Sequence, residues 1–188
     1  MSLSADLKKQ ILQNIDRVIG KGAEYTDARY YTNDDSETLF LYDGNLEAND
    51  TNYESGLGVR VLFGGAWGFA ATSDAKALDT CFEQALQNAK TAAKLVRVPL
   101  HMGKKPGHTG HFASPLKQDP FTIPLKEKLD FLSAIDARLK EDWIFKRYVY
   151  AEFQKKNIYF FNSEGTQVER NLSNVFAKMM VMALDGDG

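Results

Sequence analysis

The chain has 188 residues, 44% hydrophobic and 12% aromatic, which is enough apolar material for one sizeable core or two small ones. Its formal net charge is -2 and its pI is near 5.9. Lys and Arg are scattered rather than massed, which excludes direct nucleic-acid binding by a basic face, and no apolar run is long enough to span a membrane.

Ser4 is placed to cap a helix whose apolar residues Leu7, Ile11, Leu12, Ile15, Val18 and Ile19 recur at helical spacing and stop near Gly20 and Gly22. The pattern then turns strand-like over residues 26–33 and 37–42, with Asp43-Gly44 predicted as a hairpin turn into residues 45–53. Between the first two runs, Asp34, Asp35 and Glu37 are flanked by Asn33 and Ser36. This cluster reads as a turn in which short polar side chains bond their own backbone, because a calcium loop needs alternating ligands and a terminal glutamate.

The stretch 53–74 organises the rest. A strand over 58–63 leads to Gly64-Gly65, a short strand carries Trp67 and Phe69 around Gly68, and Thr72-Ser73-Asp74 closes on a helix cap. Val59, Val61 and Phe63 share one face, with Arg60 and Leu62 on the other. Gly56, Gly58, Gly64, Gly65 and Gly68 suggest a phosphate loop, but that motif runs from strand through glycine turn directly into a helix. Here Trp67 and Phe69 intervene, so hairpin glycines are the better reading.

A wide, alanine-rich apolar stripe over 74–95 predicts a helix lying flat on a sheet. Residues 96–124, with Pro99, Pro106, Pro115, Pro120 and Pro124, lack a sustained period and read as a long connection. After Pro124 the order repeats: a helix over 125–139, strand-like runs at 143–153, 157–162, 166–172 and 175–184, and a second glycine turn at Asn162-Ser163-Glu164-Gly165. The expected fold is α+β, with two helix-plus-antiparallel-meander units, 5–68 and 125–184, forming an internal pseudo-repeat joined by the helix and loop between them.

Candidate chemistry is sparse. Cys81, the one cysteine, sits beside Phe82 and Ala85 as a small buried hydrophobe without an evident histidine to activate it. His101, His108 and His111 lie in the connection; His108 and His111 are three apart but lack a third short-range ligand, which disfavours a metal site. Asp185-Gly186-Asp187-Gly188 opens like a calcium loop and stops. Phe176, Met179, Met180 and Met182 make a strand apolar on both faces, for which core packing is the default and a partner surface the alternative.

The run Gly56-Leu57-Gly58-Val59-Arg60-Val61-Leu62-Phe63-Gly64-Gly65-Ala66-Trp67-Gly68-Phe69-Ala70, with Asp27-Ala28-Arg29-Tyr30 and Asp43-Gly44-Asn45-Leu46-Glu47 before it, resembles the N-terminal region of the TldD/PmbA family. Members are described as zinc metallopeptidases and, under an older name, as modulators of DNA gyrase. Trp67 leans towards the TldD branch. The resemblance runs from about residue 5 to 95 and returns at 162–165. It implies zinc in a catalytic C-terminal part carrying a His-Glu-x-x-x-His helix, and no His-Glu pair occurs in this sequence. On this reading the chain is the non-catalytic N-terminal domain of a cytoplasmic peptidase. It would shape the substrate cavity and join its own C-terminal domain, peptide substrates, and a homo- or hetero-oligomeric partner, with no catalytic residue, cofactor or metal of its own. A stand-alone module capturing peptides or proteins on a strand edge is the alternative.

Overall fold

The computed structural model describes residues 3–184, apart from the Asp34 side chain. The calcium-like reading of Asp185 and Asp187 falls outside the described residues. Helix α1 (Ala5–Gly20) starts where Ser4 Oγ accepts a hydrogen bond from the Leu7 amide at 3.1 Å, and ends before Gly22, which takes a positive φ of 92°. It is followed by strands β1 (Tyr25–Tyr42), β2 (Asn45–Thr51), β3 (Glu54–Phe63) and β4 (Ala66–Thr72), a short 3-10 turn (Ala75–Ala77) and helix α2 (Leu78–Ala93). Then come β5 (Thr109–Ala113), a second 3-10 turn (Pro120–Thr122), helix α3 (Leu125–Arg138), β6 (Ile144–Asn162) and β7 (Gln167–Ala183). The fold is α+β, as the hydrophobic periods predict.

Two compact units emerge among the described residues, built from interleaved segments: residues 3–32, 54–113 and 157–171 form the first, and 33–53, 114–156 and 172–184 the second. In the first unit the strand order is β4-β3-β1-β6-β7-β5, drawing on the N-terminal half of β1, the C-terminal half of β6 and the start of β7. Helices α1 and α2 cover one face, and Ile11, Ile15, Val18, Val59, Val61 and Phe82 form its core. In the second unit β2 pairs antiparallel with the C-terminal half of β1, and Leu39, Leu41, Leu132, Val149 and Ala151 pack beneath α3.

Both glycine turns form as the sequence predicts. Asp43 and Gly44 have φ of 46° and 80°, and Gly64 and Gly65 have 56° and 72°. Two consecutive positive φ values define the type I′ geometry whose twist matches a two-residue hairpin.

Four sequence expectations need correction. Residues 33–36 are not a turn: β1 runs straight through them, with Asn33, Ser36 and Glu37 buried and Asp35 exposed. The four runs after α3 are two long strands, because the polar stretch Gln154-Lys155-Lys156 contains neither glycine nor proline to end pairing. The connection 96–124 contains β5, which pairs parallel with β7 from Thr109↔Gln167 to Ala113↔Asn171, a non-local contact that leaves no local period. Finally, Val175, Phe176 and Met179 are 60%, 54% and 64% exposed, so the C-terminal half of β7 is not core.

Candidate functional site

The glycine-rich hairpin β3–β4 is the best-defined feature of the first unit. It pairs antiparallel from Leu57↔Thr72 to Phe63↔Ala66. Alternation sends Val59 and Val61 to the helix-covered face, and Arg60 and Trp67 to the other. There Arg60 is clamped on Asp27 of β1: its Nε lies 3.1 Å from each carboxylate oxygen and one terminal nitrogen 2.6 Å from Oδ2. Asp27 is 1% exposed, whereas the Arg60 side chain is 46% exposed. The hydrogen bonds that Arg60 donates to Asp27 raise the guanidinium pKa above its ordinary value, with burial opposing.

The Arg60 guanidinium also stacks 5.2 Å from the Trp67 ring, which meets Tyr25 edge-on at 5.9 Å. Burial pushes the Tyr25 phenol up; the hydrogen bond from Asn162 opposes this and the Asp27 carboxylate adds to it. The result is a packed platform of Tyr25, Asp27, Arg60 and Trp67, whose single carboxylate is already committed to arginine. It offers a shaped, aromatic surface and no free nucleophile or base.

The glycines serve this platform and the turn beside it. At Gly68 a Cβ would sit 2.2 Å from both the Ala85 carbonyl oxygen and the Ala89 amide nitrogen, so its hydrogen is what lets α2 lie on the sheet. Gly65 donates its amide to Glu24 at 3.1 Å and accepts from the Leu100 amide at 2.9 Å, fixing the turn against the chain that follows α2. Gly56 and Gly58 would meet only ordinary contacts, with Thr72 and Phe69 respectively.

The histidines do not converge. Among the described residues, no three His, Cys, Asp or Glu side chains are arranged to hold a metal ion. His111 lies on β5, with Nε2 hydrogen-bonded to Asn171 Oδ1; Asn171 Nδ2 donates to Asn157 Oδ1 at 2.6 Å, and Asn157 Nδ2 to Thr32 Oγ1 at 3.2 Å. The sequence gives no hint of this cross-strand polar ladder, because its members are distant along the chain. His108 uses its backbone, its carbonyl accepting from the Gln167 amide at 2.8 Å. Cys81 is buried and its thiol is pushed up by that burial, which disfavours the thiolate a metal or a nucleophilic reaction needs. The donor set therefore does not fit zinc. Calorimetric titration with zinc is expected to show no binding tighter than about micromolar. Tight binding abolished by His108→Ala would instead establish a histidine site.

Two further groups escaped the sequence reading because each pairs residues far apart in the chain: Asp27 with Arg60, and Glu37 of β1 with Lys128 of α3.

Two helices on one face of a mainly antiparallel sheet, with a type I′ hairpin whose Gly68 meets a helix backbone, define the class as a mixed α+β domain. Residues 30–89 match the family model described as PmbA/TldA metallopeptidase domain 1. Over 189 aligned residues the sequence is 29% identical to a protein from Methanothermobacter thermautotrophicus named metalloprotease, covering 100% of this chain and 39% of that one. The fold is similar to a crystal structure from Thermotoga maritima described as a proposed modulator of a DNA gyrase (TM-score 0.66, 19% identity, 96% of this chain and 40% of that one). It is also similar to TldE from Thermococcus kodakarensis (TM-score 0.62, 14% identity, 95% of this chain and 40% of that one). The chain is thus similar, over residues 30–89, to the first domain of PmbA/TldD-family proteins. It spans about two fifths of the length of these relatives.

Proposed function

We propose that this chain is the non-catalytic first domain of a metal-dependent peptidase, shaping the cavity that admits peptide and contributing a surface for assembly. The match of residues 30–89 to a metallopeptidase first domain carries the reading, together with the chain's covering 39% of a relative named metalloprotease. The zinc and the residues that activate water belong, on this reading, to the remainder of the longer protein, in a cytoplasmic enzyme of the TldD branch. The platform around Arg60 and Trp67 supplies a rigid wall, and Arg and Trp are residue types that dominate contact surfaces. The exposed apolar residues Val175, Phe176 and Met179 of β7 support the assembly role, because bare apolar strands are ordinarily covered.

Peptide-cleavage assays with added zinc, beside analytical ultracentrifugation, test the two parts separately. The 188-residue chain is expected to give no turnover and to self-associate as concentration rises. Metal-dependent turnover that copurifies with the chain would overturn the non-catalytic assignment. A strictly monomeric chain at high concentration would remove the assembly role.

A further inference from the structure

In the first unit, the start of α1 and the strands β6, β7 and β5 at one side of the sheet line a cleft of about 470 Å³. This volume lies within the range of small-ligand sites. Lys8 reaches into it from α1, and Glu169 from β7. These charges are opposite, yet they do not pair with each other, and among the described residues Lys8 has no carboxylate partner. Its ammonium instead lies 6.0 Å from the Phe161 ring centre. Glu169 accepts a hydrogen bond from Asn171 Nδ2 at 3.2 Å, lies against the Tyr159 hydroxyl, and among the described residues forms no ion pair with lysine or arginine. Burial raises the Tyr159 phenol pKa; the Leu3 amide, donating to the phenolic oxygen at 3.0 Å, opposes this, and the neighbouring Glu169 carboxylate reinforces it. Leu3, Phe161 and Val168 supply apolar wall, while Thr109 and Gln167 add a hydroxyl and an amide.

We propose that this cleft binds a small zwitterionic ligand of the amino-acid or dipeptide class, with its carboxylate at Lys8, its ammonium at Glu169 and an apolar side chain against Phe161. Two full charges of opposite sign, each short of a counter-ion and lining one cleft, complement a dipolar ligand better than an anion or a cation, either of which would meet one like charge. The lysine stem and the aromatic floor favour an aliphatic side chain over a polar one. The assignment goes beyond the peptidase reading and holds whether or not the longer protein cleaves peptides.

Amide chemical-shift titration of the 188-residue chain with L-leucine and with L-leucyl-L-leucine tests it. Saturable shifts confined to the residues around Lys8, Thr109 and Gln167 to Glu169 are expected for at least one of the two. The tighter of them shows whether a free amino acid or a dipeptide fits. N-acetyl-leucine and leucinamide, each lacking one charge, are expected to bind about tenfold or more weakly. Lys8→Met and Glu169→Gln should each weaken the zwitterion to a similar degree while leaving the remaining amide spectrum in place, and Glu169→Gln preserves shape and hydrogen-bonding capacity. Absence of saturable shifts for both ligands up to about 10 mM would overturn the proposal. So would equal binding of the blocked analogues, or shifts centred elsewhere. Because the readout is binding, peptide turnover can fail with the cleft assignment intact, and the reverse.

Discussion

Replacing Gly68 with alanine is expected to lower stability by about 3 kcal/mol or more, because the added methyl group meets backbone rather than a side chain that could swing away. The two atoms it would strike, 2.2 Å away, are the Ala85 carbonyl oxygen and the Ala89 amide nitrogen of α2, with the Ala89 Cα at 2.8 Å. Relief requires lifting α2 off β4, and Phe82, Ala85 and Ala89, fully buried at that contact, would lose part of their packing. For a chain of this size the loss corresponds to a fall in Tm of roughly 6–12 °C. Gly20→Ala is the control: its Cβ meets nothing within 4 Å, so it is expected to be neutral or slightly stabilising. Thermal melts of the two variants decide the matter, and an unchanged Tm in Gly68→Ala would mean that α2 does not lie against β4 as described.

That glycine also shows how far the sequence could be read. The turn glycines were legible because positive φ at consecutive positions follows from Gly64-Gly65 and Asp43-Gly44 themselves. The caps of α1 and of the turn before α2 were equally local: Ser4 and Asp74 each accept from an amide two or three residues on. Gly68 stood in a recognisable motif, yet its reason is the backbone of a helix from a later segment, which no local pattern contains. The same holds for β5, whose pairing with β7 is set by residues more than fifty positions away. The run Asn33 to Glu37 misled for the opposite reason. Its composition is that of a turn, whereas Asn33, Ser36 and Glu37 are buried in an extended strand and Glu37 is held by the distant Lys128.

The platform and the cleft differ in the same physical sense. Arg60 and Asp27 neutralise each other, so the Trp67 face is electrically settled and suited to packing against a surface. Lys8 and Glu169 lie in one cleft without neutralising each other, which leaves that end of the sheet able to respond to a charged ligand. Sequence motif and binding potential therefore sit at different places in the first unit, and the family resemblance, carried by the hairpin, bears on the first of them.

In the second unit, Lys128→Ala is expected to cost about 3–5 kcal/mol, the range for breaking a buried ion pair from one side. Lys128 enters from α3 with its side chain 5% exposed and is hydrogen-bonded to Glu37 of β1, itself only 12% exposed. Its ammonium lies 4.6 Å from the Phe153 ring centre and 5.6 Å from that of Phe121, so the aromatic pair flanks the charge and excludes water. Truncation would remove the lysine stem from this packing and leave the Glu37 carboxylate buried without its cation. Lys128→Met restores the stem but not the charge, so it should recover part of the loss only. Adding Glu37→Gln to Lys128→Met removes the stranded charge, and the double variant should be more stable than Lys128→Met alone, since a neutral pair needs no counter-ion. Urea denaturation of these variants together with Glu37→Gln alone gives the coupling directly. A cost below about 1 kcal/mol for Lys128→Ala would place the pair among solvent-screened surface bridges and contradict its burial.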